Sequence, residues 1–355
     1  MPGRNGEAVN AAKAPRVAVL MPAYNAAAYI EHTVNSILRQ SFDDLLLIAV
    51  NDGSTDETGA ILARLAAQDA RVLPITVENG GPAMARNRAL EAVPKGTEYL
   101  MFSDADDEYA PDAIRTALEK GGGADLVLMG FSIRQPDGSV RLYAEPEAHY
   151  TPETLGGSLG QLYKANLLNQ VWGKLFRASI VLDNSLRFED YRWGEDRLFL
   201  YDCLEHAQRV AVLPESAYTY IMHPGESLIT RWNAKKLEAS VRADERMELL
   251  CRRFGISDER DFRYMFMKNV FSCLTTLYAP SCRLTHAEKR REIRCVITDE
   301  RVRARSRDVF GGLPVQVLCA VIRSRSVGLN ALIFRSVAFV GAAAPKLFTR
   351  LKHKK

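Results

Sequence analysis

Along the first 130 residues, short apolar runs alternate with longer stretches whose apolar residues recur at helical spacing. The runs 17–21, 45–50, 72–76, 99–103 and 126–131 are rich in Val, Leu and Ile, which predicts strands buried on both faces. Between them, 27–40, 56–68, 82–92 and 111–120 predict amphipathic helices. Thr55 and Asp56 stand where caps for the second helix belong, and Pro111 suits a first helical turn. Strands alternating with helices predict an α/β domain with a mostly parallel sheet and crossover helices.

From about Pro136 the pattern changes. Aromatic-rich segments follow, among them Trp172-Gly173-Lys174-Leu175-Phe176, Gly194-Glu195-Asp196 and the stretch 218–227. Beyond Trp232 the spacing turns helical through 235–254, 261–278 and 286–296. The last stretch, 313–355, mixes Val, Leu, Ile and Phe with scattered Arg and ends in Lys352-His353-Lys354-Lys355. It predicts one or two basic amphipathic helices suited to an interface. The expected organisation is a leader at 1–15 without fixed structure and a catalytic domain at 16–230, divided at 135/136. A helical region at 231–355 completes it.

Charge sharpens this division. The 355 residues carry a net charge of +4, yet from Ser281 to Lys355 there are 17 Lys+Arg against 5 Asp+Glu, a local +12. The remainder is net −8. A basic C-terminal surface predicts an anionic neighbour, with a membrane face ahead of nucleic acid despite the basic run 301–307. The apolar runs in 327–345 are too short for the roughly 20 residues of a spanning helix. The N-terminus lacks the apolar core of a secretory signal. Together these predict a cytoplasmic protein that touches the inner membrane face through 313–355 without crossing it. No two of the six cysteines have C-x-x-C spacing, so free thiols are expected.

The candidate chemistry lies in the loops that follow the first four strands: Pro22-Ala23-Tyr24-Asn25, Asn51-Asp52-Gly53-Ser54-Thr55-Asp56, Glu78-Asn79-Gly80-Gly81 and Ser103-Asp104-Ala105-Asp106-Asp107. Ligands of open α/β sheets bind at the carboxyl ends of strands, so these loops form one ledge. Asp104 and Asp106, one residue apart, can aim hard carboxylate oxygens at Mg²⁺ or Mn²⁺ together with phosphate oxygens of a ligand. Tyr24 offers a face for base stacking, and Pro22 stiffens its loop. Arg86, early in the third helix, is placed to meet a phosphate or to fix one of the ledge carboxylates.

These motifs, with Ala85-Arg86-Asn87, stand in the order found in family 2 glycosyltransferases, and the similarity covers roughly residues 16–230. The resemblance implies the GT-A fold, a nucleotide-binding mixed sheet flanked by helices, here followed by a mainly helical extension. It implies an inverting enzyme that moves a sugar from a UDP-sugar to a hydroxyl of a glycan or lipid-linked acceptor in cell-surface polysaccharide synthesis. In that reading Asp52 contacts uracil, Asp104 the ribose, and Asp106, with Asp104, the metal. Asp196, with Glu195 as second choice, is the general base. Pro22, Ala23, Tyr24, Asn25, Asn79, Arg86, Ala105, Lys174, His223 and Ser227 complete the nucleotide-sugar site, and Trp172 borders the acceptor. The family often carries Arg where this chain has His223.

Other classes fit less well. A nucleotidyltransferase needs a Gly-rich basic loop after the first strand, and a dinucleotide-dependent oxidoreductase needs G-x-G-x-x-G there. Neither is present. A non-catalytic nucleotide-sugar sensor is the alternative that retains the fold, but it does not require all of Asp52, Asp104, Asp106 and Asp196.

Overall fold

The computed structural model describes residues 14–223, 231–307, 309 and 311–343. Ten strands form one mixed sheet: β1 Val17–Ala23, β2 Leu45–Asp52, β3 Val72–Val77, β4 Tyr99–Phe102, β5 Glu108–Tyr109, β6 Leu126–Arg134, β7 Val140–Tyr143, β8 Ala148–Tyr150, β9 Lys174–Arg177 and β10 Val210–Ile221. The main order is β3-β2-β1-β4-β9-β6-β10-β5, with β7 on β6 and β8 on β10. The run of four strands β3-β2-β1-β4 is parallel throughout. Strand β9 then enters antiparallel to both β4 and β6, which makes the sheet mixed.

The five strands expected from apolar runs are all present. Those missed are short or irregular. Strand β9 has four residues and carries a lysine, while β10 contains Pro214 at a register shift between Leu213 and Ser216. A proline cannot donate to a ladder, so a bulge is where such a strand tolerates it.

The flanking helices are α1 Ile30–Leu38, α2 Thr58–Gln68, α3 Pro82–Glu91, α4 Ala113–Lys120, α5 Pro152–Lys164, α6 Ala178–Asp183 and α7 Glu195–His206. The C-terminal region adds α8 Lys236–Arg253, α9 Arg260–Thr276, α10 His286–Thr298, α11 Glu300–Arg305, α12 Leu313–Arg323 and α13 Val327–Ala343. Residues of β1, β2, β4 and β6 are almost wholly buried, as expected for strands covered on both faces. This core continues into α8 and the start of α9 through Met247, Leu250 and Phe262. A second core, built on Phe266, Met267, Val270, Ile293, Ile322 and Phe334, joins α9 to α10, α12 and α13. The helical region is thus packed onto the sheet. Among the described residues no helix is long and apolar enough to cross a membrane.

Candidate functional site

The carboxyl ends of β1, β2 and β4 bring the first, second and fourth loops together, and hydrogen bonds lock them. Asn25, in the left-handed region at φ 49°, accepts from the Thr55 N–H at 2.8 Å, while its own N–H donates to Ser54 Oγ at 3.0 Å. Asp56 accepts from the N–H groups of Thr58 and Ala27 at 3.0 and 3.1 Å, so it joins the two loops and steadies the start of α2. Tyr24 is half exposed beside them, with a face free for a base. Pro22 and Ala23 correct the expectation of a loop: they are the last residues of β1, paired with Val50 and Asn51.

Asp52 is 3% exposed and accepts from the N–H groups of Gly80 and Gly81, both at 2.8 Å. Asn79 donates to the Asp52 carbonyl at 2.9 Å. Gly53 is required between them: at φ +66°, a Cβ there would sit 2.8 Å from Asn79 N. The carboxylate expected to read the nucleotide therefore braces the third loop.

At the end of β4 the acidic loop divides its work. Asp107 is fully buried, accepting from Tyr218 Oη at 2.9 Å and from the Ile221 N–H at 2.8 Å. The same Tyr218 hydroxyl accepts from the Asp104 N–H at 2.9 Å. From α1, the Thr33 hydroxyl lies within hydrogen-bond reach of the carbonyls of Ala105 and Asp107, at 3.0 and 2.8 Å. Burial, with Asp104 and Asp106 beside it, pushes the Asp107 carboxyl up. Asp106 faces outward, its side chain 40% exposed, with His223 Nε2 3.5 Å from Oδ2. That imidazole nitrogen is buried without a hydrogen-bond partner, and the ring packs on Tyr29 at 4.1 Å. Burial and Asp104 raise the Asp106 carboxyl to about 6, His223 opposing. Ser227 lies outside the described residues.

Helix α7, whose N-cap Gly194 takes φ 86°, reaches the same edge. Glu195 and Asp196 open this helix, and both meet Arg86 of α3. The guanidinium, 4% exposed, lies 2.8 Å from Asp104 Oδ1, 2.9 Å from Asp196 Oδ1 and 3.2 Å from Glu195 Oε1. Of the two options for Arg86, fixing the carboxylates is the one the structure takes. Its neighbour Asn87 exchanges two hydrogen bonds with the Phe188 backbone, at 2.8 and 2.9 Å, and so ties α3 to the segment before α7. Burial raises the Asp196 carboxyl to about 7, with Arg86 opposing and Glu195 and Asp104 reinforcing the shift. Burial raises Glu195 as well. Arg86 Nη1 lies 2.9 Å from Asp196 Oδ1 without hydrogen-bond geometry, whereas Glu195 Oε1 accepts from Arg86 at 3.2 Å.

Lys174, in β9, is fully buried, its Nζ 3.4 Å from the Trp172 carbonyl. Burial lowers its ammonium to about 7, with Asp196 opposing. Trp172 is a core residue, stacked on Tyr218 at 4.7 Å and Tyr220 at 5.9 Å. Sequence reasoning missed Asp107, Tyr218 and Thr33. A hydroxyl more than 100 residues away leaves no local signal, although Asp107 stood in the acidic motif itself.

A family model described as glycosyl transferase family 2 matches residues 18–180. The chain is 31% identical over 215 residues to the uncharacterised glycosyltransferase EpsJ of Bacillus subtilis, covering 59% of this chain and 62% of that protein. It thus spans under two thirds of that relative's length. It is 31% identical over 245 residues to the succinoglycan biosynthesis protein ExoO of Rhizobium meliloti, covering 66% of this chain and 68% of the relative. Among solved structures, S. aureus TarS 1–349 in complex with UDP-GlcNAc superposes with a TM-score of 0.60 over 92% of each chain, at 20% identity, and so shares the fold. With the ordered loops, the paired carboxylates and these likenesses together, the chain belongs to glycosyl transferase family 2.

Proposed function

We propose that this protein is an inverting glycosyltransferase that moves a sugar from a UDP-sugar to a hydroxyl of a glycan or lipid-linked acceptor in cell-surface polysaccharide synthesis. The observation that carries this reading is the buried Arg86, which gathers donor-side Asp104 and acceptor-side Asp196 around one guanidinium. The TarS complex with UDP-GlcNAc and the role of ExoO in succinoglycan biosynthesis support the choice of donor and pathway class.

In this reading the nucleotide lies along the ledge, its base on Tyr24 and its ribose near Asp104, with Asn25 and Asn79 shaping the walls. Asp52 acts through the loop it braces. The acceptor oxygen attacks the anomeric carbon as the bond to the leaving diphosphate breaks, which inverts that centre. Asp196 takes the acceptor proton. It is favoured over Glu195 because a base titrating near neutrality is well matched to the task.

Asp106 Oδ2 and the unpartnered His223 Nε2 fit a divalent cation, Mn²⁺ or Mg²⁺, with Asp104 adjacent. The described residues hold no cluster of three or more acidic, His or Cys ligands, so the donor's phosphate oxygens would complete the set. When bound, the cation neutralises charge gathering on the leaving diphosphate. The basic C-terminal helices bring the cytoplasmic enzyme to the inner membrane face, where a lipid-linked acceptor resides.

The test is donor hydrolysis and transfer over a panel of UDP- and GDP-sugars with Mn²⁺, alongside Asp106→Ala. Turnover of a UDP-sugar that collapses in Asp106→Ala is the expected result. Undiminished turnover in that variant removes the metal assignment, and no turnover of any UDP-sugar by the native chain removes the reading.

A further inference from the structure

The two last helices each bury one side and leave an apolar side in water. In α13, Asn330 and Phe334 are fully buried, and Asn330 Nδ2 donates to the Val321 and Ser326 carbonyls at 2.8 and 2.9 Å, which fixes the helix against α12. The opposite side carries Leu329, Leu332, Ser336, Phe339 and Val340, at the i, i+3, i+7, i+10 and i+11 positions of one helical face. Leu332 is 63% exposed and Phe339 72%. In α12, Cys319 and Ile322 are buried while Leu313 and Val317, one turn apart, are exposed. Isolated exposed leucines are ordinary, but repeated large apolar side chains along one face of consecutive helices mark an interaction surface.

Charge identifies the occupant. No Asp or Glu follows Asp308, while eight Lys and Arg do. Arg323, Arg325 and Arg335 are exposed on and between these helices. An apolar face on two helices that carry arginines and no acid complements an anionic lipid surface, in which the side chains enter the acyl boundary and the arginines meet phosphate. A water-soluble partner would be expected to be met by charges of both signs. The lack of any membrane-crossing helix among the described residues fits a helix pair lying on the surface.

We propose that the exposed faces of α12 and α13, centred on Leu332 and Phe339, dock the protein onto anionic phospholipid. This deepens the reading of a lipid-linked acceptor and rests on it for its purpose, though not for its chemistry. Deleting residues 313–355 is the wrong test, because it strips Ile322 and Phe334 from the second core. Point changes on the exposed face leave that core intact.

The experiment sediments the full chain with vesicles of phosphatidylcholine and phosphatidylglycerol in equal parts, and with phosphatidylcholine alone. The native protein should bind the mixed vesicles in a salt-sensitive way. Leu332→Glu with Phe339→Glu should lower the partition constant by at least about tenfold. Should that variant not fold, each of Arg323→Ser, Arg325→Ser and Arg335→Ser should lower it about fivefold on mixed vesicles alone. UDP-sugar turnover without vesicles should be unchanged in all of them. A native chain that does not sediment, or a double Glu variant that binds as well as the native chain, overturns the proposal. So does a dimer in light scattering that the double Glu variant abolishes, since it assigns the face to a second copy. Vesicle binding that persists in a chain inactive on every UDP-sugar upholds the docking surface and sinks only the catalytic reading.

Discussion

Two clusters of charge, one around the buried Arg86 at the ledge and one partly exposed in the helical region, balance the same residue types differently. At the ledge a single cation, Arg86, meets three carboxylates, those of Asp104, Glu195 and Asp196. In the helical region Arg252, Arg263, Arg301 and Arg305 face Asp244, Glu245, Glu248 and Glu259, four against four. Burial pushes Glu248 up, but hydrogen bonding and charge from Arg301 and Arg305 outweigh it and leave the carboxyl lowered. At Asp196 burial wins, as it does at Asp244 inside the helical cluster, so what separates the two clusters is the balance of charges and not the direction of every shift. A matched cluster is complete in itself and serves as a clasp between α8, α9 and α11. The unmatched one retains negative charge that a proton, a metal or a substrate must answer, and such imbalance marks a working site. The basic run 301–307 is accordingly not a free basic patch, since Arg301 and Arg305 are turned inward.

The largest effect should come from removing the base. Asp196→Asn is expected to lower the transfer rate roughly 10²–10⁴-fold while leaving UDP affinity within about twofold, read by steady-state kinetics and calorimetry. A loss confined to KM would move the base elsewhere.

Removing the cation from each cluster separates site from clasp. Arg86→Met leaves buried carboxylates unanswered and should cost about 3–5 kcal/mol in denaturant unfolding, with activity abolished. Arg305→Met should cost about 1–3 kcal/mol yet keep kcat near native, because its carboxylates retain Arg301 and Arg263. Equal losses of activity in the two variants would erase the distinction.

The pH dependence follows from Asp196. Its carboxyl is raised to about 7 by burial, so the carboxylate needed to accept a proton is depleted below that pH. The transfer rate should therefore fall about tenfold per unit on the acid side of neutrality. Stability moves the other way. Because the folded chain holds this proton more tightly than the unfolded one, the Asp196 contribution is full below its ordinary value of 3.8 and declines as pH rises to about 7. Asp196→Asn should remove that decline, and a decline that persists would assign it to another group.

The smallest effect belongs to the hydroxyl that joins Asp104 to Asp107. Tyr218→Phe removes two hydrogen bonds and should cost about 1–2 kcal/mol of stability. It should also raise the Mn²⁺ concentration needed for half-maximal activity several-fold, as the acidic loop and the end of β10 lose their common anchor. An unchanged metal requirement would leave Tyr218 a purely structural partner.

The residue sequence by itself determined the four parallel strands, three of them because strands buried on both faces must be continuous apolar runs, although the edge strand β3, expected to be buried like them, is largely open to solvent, and it determined where the polar loops fall. It also determined that the region after Trp232 is mainly helical over its described residues and that its sequence is basic. Only the tertiary structure decided which acid does what. Asp104, Asp106 and Asp107 are alike in sequence, and burial alone separates the outward Asp106 from the enclosed Asp107. Lys174 and Trp172 carried the polarity and size of ligand-binding residues, yet the entry of β9 between β4 and β6 sealed both inside. The contacts that join the acidic triplet to its tyrosine, and to the arginine that ties it to Asp196, span up to 114 residues. No local pattern encodes such a meeting, since hydrogen bonds and ion pairs across that separation exist only once the sheet has brought their partners within reach.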